Sequence, residues 1–107
     1  MQTKQALTAL SAVAQESRLA VFRLLVQAGP SGMAASHIAT QLGIAPSSLS
    51  FHLKELTHAA LVTARQDGRF VIYAADFATM NALIGFLTEN CCSGAPCTRP
   101  TLPESPQ

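Results

Sequence analysis

The sequence predicts a mainly α-helical domain that carries one β-hairpin, and two observations lead to that prediction. Apolar residues recur every three or four positions through the first half of the chain and again after residue 76, a spacing typical of amphipathic helices. Between those stretches, residues 61–66 and 69–74 are strand-like runs joined by Asp67-Gly68, and a two-residue Asp-Gly loop is a strong hairpin signal. At 107 residues the chain is long enough for one domain.

Five helices are predicted, and most have a recognisable first or last residue. The first two have apolar residues at helical spacing: Ala6, Leu7, Leu10, Val13 and Ala14 in the first, and Leu19, Phe22, Leu25 and Val26 in the second. Ser36 is the expected N-cap of a short third helix that runs to Leu42 and closes at Gly43. Pro46 opens the fourth helix, and Asp76 caps the last one.

The middle of the chain has the layout of a winged helix-turn-helix. A short helix, a tight turn at Gly43, a second helix and a hairpin follow one another, and Ala39 is small where the two helices must approach. The sequence therefore predicts a winged helix-turn-helix domain over residues 1–90 that dimerises through its first and last helices. A flexible Pro-rich tail that carries the thiols is expected over residues 91–107.

The second helix of this motif is the element that would enter the major groove of DNA. With Leu49, Leu53 and Leu56 facing inward, its opposite face presents polar side chains and one aromatic ring. Arg65 and Arg69 are expected to flank the hairpin tip, where a wing contacts phosphates. The candidate DNA-binding residues are Ser47, Ser48, Ser50, Phe51, His52, Lys54, Arg65 and Arg69.

Several of these assignments have alternatives that the sequence leaves open. Phe51 could pack against the wing instead of contacting a thymine methyl group, and His52 could be a packed, hydrogen-bonded histidine. Arg18 and Arg23 could reach phosphates, although Arg18 could equally pair with Glu16 or a nearby acid. A three-helix core with a hairpin also occurs in protein-interaction modules, and the net charge of +1 gives no general case for nucleic-acid binding.

Composition favours an oligomer. Hydrophobic residues make up 49% of the chain and charged residues only 12%, so a lone domain would expose apolar patches. The last helix has an apolar set too broad for one buried stripe, which indicates that part of it faces a partner subunit, although ordinary core packing is the alternative. Its members are Phe77, Met80, Leu83, Ile84, Phe86 and Leu87.

All three cysteines lie in one short stretch after the last helix, as Cys91, Cys92 and Cys97. No apolar run approaches the roughly 18 residues of a membrane span, and the chain does not start like a secretory signal, so we expect a cytoplasmic protein without a membrane partner. In a reducing compartment clustered cysteines more often indicate metal or redox chemistry than structural disulfides. A position after a helix C-terminus disfavours a reactive thiolate, so we do not expect an enzyme.

The chain resembles a known family in three segments. Residues 50–56, Ser-Phe-His-Leu-Lys-Glu-Leu, and residues 67–73, Asp-Gly-Arg-Phe-Val-Ile-Tyr, resemble the recognition helix and wing of the ArsR/SmtB metalloregulators, and residues 17–25 resemble their second helix. The resemblance covers roughly residues 5 to 92, although Ala60 stands where a glycine usually ends the recognition helix. It implies a homodimeric repressor that binds double-stranded operator DNA when empty and leaves when metal binds.

Within that family, the cysteine cluster resembles the site of one arsenic-responsive branch. The recognition region and the N-terminus contain no cysteine, and residues 76–90 contain no histidine, so the family's other sensing sites are not matched. The resemblance implies that Cys91, Cys92 and Cys97 bind As(III), with Sb(III) or methylated As(III) as competing ligands and no organic cofactor. Three thiolates saturate the pyramidal ion, whereas a zinc site would be one ligand short. A redox-sensing thiol pair and unliganded thiols are the alternatives.

Overall fold

The computed structural model describes residues 1–94, and Cys97 and the other residues of 95–107 lie outside the described part. Within residues 1–94 there are five α-helices, three short strands and a final 3₁₀ turn. The helices are α1 (Thr3–Val13), α2 (Glu16–Ala28), α3 (Ala35–Leu42), α4 (Pro46–His58) and α5 (Phe77–Leu87). The strands are β1 (Met33–Ala34), β2 (Val62–Asp67) and β3 (Phe70–Ala75), and the 3₁₀ turn is Cys91–Gly94. None of the helices in residues 1–94 is long and apolar enough to cross a membrane.

The predicted winged helix-turn-helix architecture is confirmed. Helices α3 and α4 form the helix-turn-helix, in which Gly43 adopts a left-handed conformation and the Ile44 N–H donates to the Ala39 carbonyl at 3.1 Å. Strands β2 and β3 form the wing, and β1 pairs with the other edge of β3, which gives an antiparallel sheet with the order β1-β3-β2. The turn at Gly43 fixes the direction of α4 relative to α3.

The core lies between the helices and the inner ends of the wing strands. The most deeply buried large side chains come from α2, α3, α4 and the start of β2: Val21, Leu25, Ile38, Leu49, Leu56, Leu61 and Val62. The residues of helix α1 that are buried are alanines, namely Ala6, Ala9 and Ala12, and Val13 packs against the edge of the core. Because α4 buries Leu49, Leu53 and Leu56, the core holds the recognition helix by one face and leaves the other face free.

Two predicted helix starts are confirmed and one is wrong. Pro46 occupies the first turn of α4, and the Asp76 carboxylate caps α5 by accepting the Thr79 N–H at 3.0 Å. Ser36, however, is not the N-cap of α3, because that position belongs to Ala34. Residues Met33 and Ala34 pair with β3, and the helix begins as soon as this short strand ends.

The wing strands are displaced by one residue from their predicted bounds. Asp67 pairs with Phe70, so the two-residue loop is Gly68-Arg69 and not Asp67-Gly68. Gly68 has a positive φ of 62°, which a glycine adopts without a Cβ clash. Arg69 therefore lies in the turn itself.

Helix α4 ends in a Schellman motif. The Leu61 N–H donates to the Leu56 carbonyl at 3.0 Å, and the Ala60 N–H donates to the Thr57 carbonyl at 3.0 Å. This motif requires a left-handed residue, and here it is Ala60, with φ of 63°. An alanine therefore carries the conformation that a glycine usually supplies.

Candidate nucleic-acid interface and thiol segment

The outer face of α4 is the main candidate surface for DNA. Since Leu49, Leu53 and Leu56 point into the core, the predicted contact residues lie on the opposite side. Ser47, Ser48, Ser50, Phe51 and Lys54 are all exposed, and Phe51 exposes 55% of its surface. A phenylalanine this open on a helix otherwise lined by hydroxyls and an amine is suited to an apolar partner such as a thymine methyl group.

His52 lies at the boundary between the exposed face and the core. The side chain is half-buried, and its ring meets that of Phe51 edge to face, with centroids 6.0 Å apart and an interplanar angle of 63°. Its Nδ1 atom is enclosed and has no hydrogen-bond partner among residues 1–94. His52 is therefore partly packed, as the alternative to base contact predicted. The hydrogen bond that the same alternative predicted is not made by Nδ1 within residues 1–94. Contact between His52 and a base stays a prediction.

A groove of about 400 Å³ separates α4 from the wing. Its lining combines hydroxyl, amine and imidazole groups with apolar side chains: Ser50, Leu53, Lys54, Thr57, His58, Ala64 and Tyr73. Sequence reasoning missed Thr57 and Tyr73 as candidates. The alternation of β3 could have identified Tyr73, because it pairs with Ala64 across the sheet and thereby shares the face that looks towards α4.

The two wing arginines occupy different positions, which corrects the prediction that both flank the tip. Arg69 is at the tip, in the turn between β2 and β3. Arg65 lies within β2, opposite Ile72, and its guanidinium donates to the Ser31 carbonyl at 2.7 Å and to the Pro30 carbonyl at 3.4 Å. Arg69 is therefore the wing arginine at the tip, and its contact with phosphate stays a prediction.

Arg18 has a structural partner as well. Its Nε donates to the Ala12 carbonyl at 2.6 Å, which ties the end of α1 to the start of α2. Contact of Arg18 with phosphate and its pairing with Glu16 or a nearby acid both stay predictions. Arg23 is exposed on α2 and stays a candidate for phosphate contact.

The thiol segment begins after α5 has ended. The helix stops at Leu87, and the Cys91 N–H donates to the Thr88 carbonyl at 3.0 Å as the chain enters the 3₁₀ turn. Cys91 and Cys92 are both exposed, and their Sγ atoms lie 3.6 Å apart. This segment does not continue α5, because Thr88 has already left helical geometry and Asn90 has a positive φ.

The backbone of this turn is unusual. Cys92 and Ser93 both adopt left-handed conformations, with φ and ψ of 57° and 36° for Cys92 and of 56° and 33° for Ser93. Residues 1–94 contain no group of three His, Cys, Asp or Glu side chains that could hold a metal ion. The predicted third ligand, Cys97, lies outside the described residues, so the structure shows the vicinal pair alone.

The first and last helices expose large apolar side chains. Leu7 on α1 exposes 62% of its surface, and Ile84 and Leu87 on α5 expose 52% and 58%. In the single chain no residue of α5 (Phe77–Leu87) is fully buried. Phe77 and Leu83 pack against the core of this chain, so the broad apolar set of the last helix is partly ordinary core, and its exposed members Ile84 and Leu87 are available to a partner.

Comparisons with known proteins agree with this architecture. A family model of a helix-turn-helix domain matches residues 13–65. NolR from Sinorhizobium fredii, known from a crystal structure, is 31% identical in sequence to this chain. The two structures match with a TM-score of 0.63 over 82% of this chain and 85% of NolR. Among curated proteins, none matches the chain at a significant level.

Two further solved structures bear on assembly and response. The homodimeric winged helix-turn-helix domain of Mb0332 from Mycobacterium bovis, described as a possible ArsR-family transcriptional regulator, is 26% identical, with a TM-score of 0.64 and coverage of 90% of this chain and 89% of that one. A possible transcriptional regulator for arsenical resistance is 28% identical, with a TM-score of 0.61 and coverage of 83% of this chain and 97% of that one.

Proposed function

Because the chain belongs to the ArsR family of winged helix-turn-helix regulators, we propose that it is an arsenic-responsive repressor, which binds operator DNA as a homodimer and is released by As(III). The family membership makes it a DNA-binding transcriptional regulator and not an enzyme. The arsenic response rests on one observation above all, the exposed vicinal thiol pair with its Sγ atoms 3.6 Å apart.

DNA binding uses the exposed face of α4 and the wing tip. Ser47 and Ser48 lie in the first turn of α4, where a recognition helix comes nearest to the base edges. Lys54 supplies positive charge in the groove that Tyr73 also lines, and Arg69 supplies it at the wing tip. The helix-turn-helix match favours this reading over a protein-interaction module. Contacts to phosphates release counterions, so operator affinity should fall steeply with salt.

The homodimer follows from the uncovered apolar faces of α1 and α5. Leu7, Leu10, Ile84 and Leu87 are large, exposed and confined to the first and last helices. A second copy of the chain would cover them with the same surface under two-fold symmetry, and the similar Mb0332 domain is described as homodimeric. Two recognition helices on one dimer would then read two half-sites of an inverted repeat.

The vicinal pair is suited to a soft ion. Two sulfur atoms 3.6 Å apart can both reach one ion at the roughly 2.3 Å typical of thiolate–metal bonds. Soft thiolates favour a thiophilic ion over calcium or magnesium. A third thiolate from Cys97 would complete the pyramidal coordination of As(III), whereas zinc would still require a fourth ligand.

The thiol segment is connected to α5 by two hydrogen bonds. The Cys91 N–H donates to the Thr88 carbonyl at 3.0 Å, and the Thr88 hydroxyl donates to the Ile84 carbonyl at 2.8 Å. Ile84 belongs to the exposed apolar face that the dimer would bury. An ion that rearranges the turn therefore acts on the end of the dimerising helix, and a hundredfold loss of operator affinity requires only about 2.7 kcal/mol of coupling.

Titration of an operator complex tests the proposal. An operator found by selection from random duplexes is bound to the purified dimer under reducing conditions, and arsenite is added while DNA anisotropy is followed. Wild type should release the DNA, whereas Cys91→Ser and Cys92→Ser should bind operator with wild-type affinity and respond weakly or not at all. Ser93→Ala, in the same exposed turn, is the matched control and should respond like wild type.

Other titrants separate As(III) from the alternatives. Zinc and cadmium should release DNA far less effectively than arsenite, and Cys97→Ser should lose its response to arsenite while it still responds to methylated As(III), which needs two thiols. Release of the triple-serine variant by arsenite would refute the mechanism. Release by a thiol oxidant but not by arsenite would assign the pair to redox sensing instead.

A further inference from the structure

We infer that Arg65 is a positioning residue of the wing, which fixes the wing tip for DNA through a hydrogen-bonded contact with the loop before β1. The inference rests on the operator binding proposed above. It replaces the expectation that Arg65 itself contacts phosphate, and it leaves Arg69 as the phosphate-contacting arginine of the wing.

The contact crosses the whole sheet. Arg65 on β2 lies opposite Ile72 on β3, and Ile72 lies opposite Ala34 on β1, so the three residues form one row across the strands. From this row the guanidinium reaches the carbonyls of Ser31 and Pro30, at 2.7 Å and 3.4 Å. The planar guanidinium presents a fixed fork of donors, so it can hold two carbonyls at once in a way that an ammonium group cannot.

The loop that accepts these hydrogen bonds is itself held in place. The Gly32 N–H donates to the Gly29 carbonyl at 3.1 Å, which closes the loop on itself. Gly32 also lies directly against β3, since a Cβ there would approach the Tyr73 carbonyl oxygen more closely than real Cβ atoms do and would lie 3.0 Å from Ile72 Cγ2. Arg65 therefore binds a loop that is closed on itself and packed against Ile72 and Tyr73 of β3.

Ala74 and Ala75 bury the base of β3, but residues 63–71 beyond it are all exposed, so the outer part of the wing has few other attachments to the domain. Only Val62 of β2 is buried, and the remaining residues of that strand are exposed. Strand β1 contributes just two residues to the sheet. The outer half of the hairpin is therefore oriented by its own pairing and by the Arg65 hydrogen bonds, and Arg69 follows only four residues beyond Arg65. Removal of these hydrogen bonds should let the tip move relative to α4.

The salt dependence of operator binding distinguishes positioning from phosphate contact. Arg69→Ala should reduce the slope of log affinity against log salt by about 0.9 for each phosphate that Arg69 neutralises. Arg65→Ala should lower affinity on the order of tenfold, as expected for one charged hydrogen-bonding group, with the slope unchanged. Arg65→Lys keeps the charge but not the fork, so it should bind as weakly as Arg65→Ala. Full rescue by lysine, or a reduced slope for Arg65→Ala, would overturn the inference.

Amide chemical shifts of the free dimer give a readout that needs no DNA. In Arg65→Ala and Arg65→Lys the ¹⁵N–¹H signals of Ser31, Gly32 and the tip residues Gly68 and Arg69 should shift, while those of the helices and the urea midpoint stay near wild type. Arg69→Ala should leave Ser31 and Gly32 unchanged. An unperturbed tip in both Arg65 variants would overturn the inference. If wild type bound no operator, the proposed function would fail, while the shifts would still decide whether Arg65 holds the wing.

Discussion

Gly32→Ala should destabilise the protein far more than its small size change implies. Gly32 has a φ of +69°, and an added Cβ would approach the Tyr73 carbonyl oxygen well inside the 3.0 Å limit of real Cβ contacts. It would also meet the Tyr73 carbonyl carbon and Ile72 Cγ2 at 3.0 Å each. Two of these three atoms are backbone of the central strand β3, so the loop or the strand must move.

The cost has two parts. A left-handed conformation costs an L-residue roughly 1–2 kcal/mol. Relief of overpacking against a well-ordered neighbour costs typically about 1–3 kcal/mol more. Gly32→Ala should therefore lower the free energy of unfolding by about 2–5 kcal/mol. Gly43→Ala is the matched control, because Gly43 has a similar φ of +64° and no atom within 4 Å of the added Cβ, so only the first part applies.

Urea unfolding followed by circular dichroism measures both variants. Since the wing holds the single tyrosine, Tyr73, and the chain has no tryptophan, tyrosine fluorescence reports separately on the region around Gly32. All samples should be compared at one protomer concentration, because the stability of a dimer depends on it. Equal losses for Gly32→Ala and Gly43→Ala would show that the loop absorbs the added methyl group and would refute the reasoning.

Two further substitutions test helix ends. Ala60→Gly should raise the free energy of unfolding by about 0.5–1 kcal/mol, because the left-handed strain at φ of 63° disappears while the unfolded chain gains some entropy. A lower free energy of unfolding for this variant, measured by urea titration, would contradict the Schellman assignment. Asp76→Ala should cost about 1 kcal/mol by removing the acceptor for the Thr79 N–H, whereas Asp76→Asn should retain most of the cap. Equal losses for the alanine and asparagine variants would show that Asp76 contributes charge and not a hydrogen bond.

Local signals predicted the helices and the wing, but not the elements that depend on distant partners. Pro46 and Asp76 were sufficient to place two helix starts, because a cap acts within its own turn. Strand β1 was missed because Met33 and Ala34 become a strand only by pairing with Tyr73 and Ile72, about 40 residues further along the chain. The same pairing moved the start of α3 ahead of Ser36.

In the candidate site, too, the parts set by local spacing could be predicted, and the parts set by distant partners could not. The exposed face of α4 could be predicted from helical spacing, since three buried leucines determine which residues point outward. The position of Arg65 could not, because its partners Pro30 and Ser31 precede it by more than 30 residues and offer only backbone carbonyls. No pattern of side chains in a sequence marks a carbonyl as an acceptor.

The alanine packing of α1 has a consequence for the order in which the protein opens. Helix α1 is held to its own chain mainly by small side chains, and α5 packs there only through the partly buried Phe77 and Leu83, whereas α2 to α4 share large core side chains. In the single chain the amide hydrogens of the terminal helices should therefore exchange through local openings before those of α4, and the second copy of the proposed homodimer should slow that exchange. In the homodimer proposed above, the contact between the two copies can therefore change while α4 stays folded.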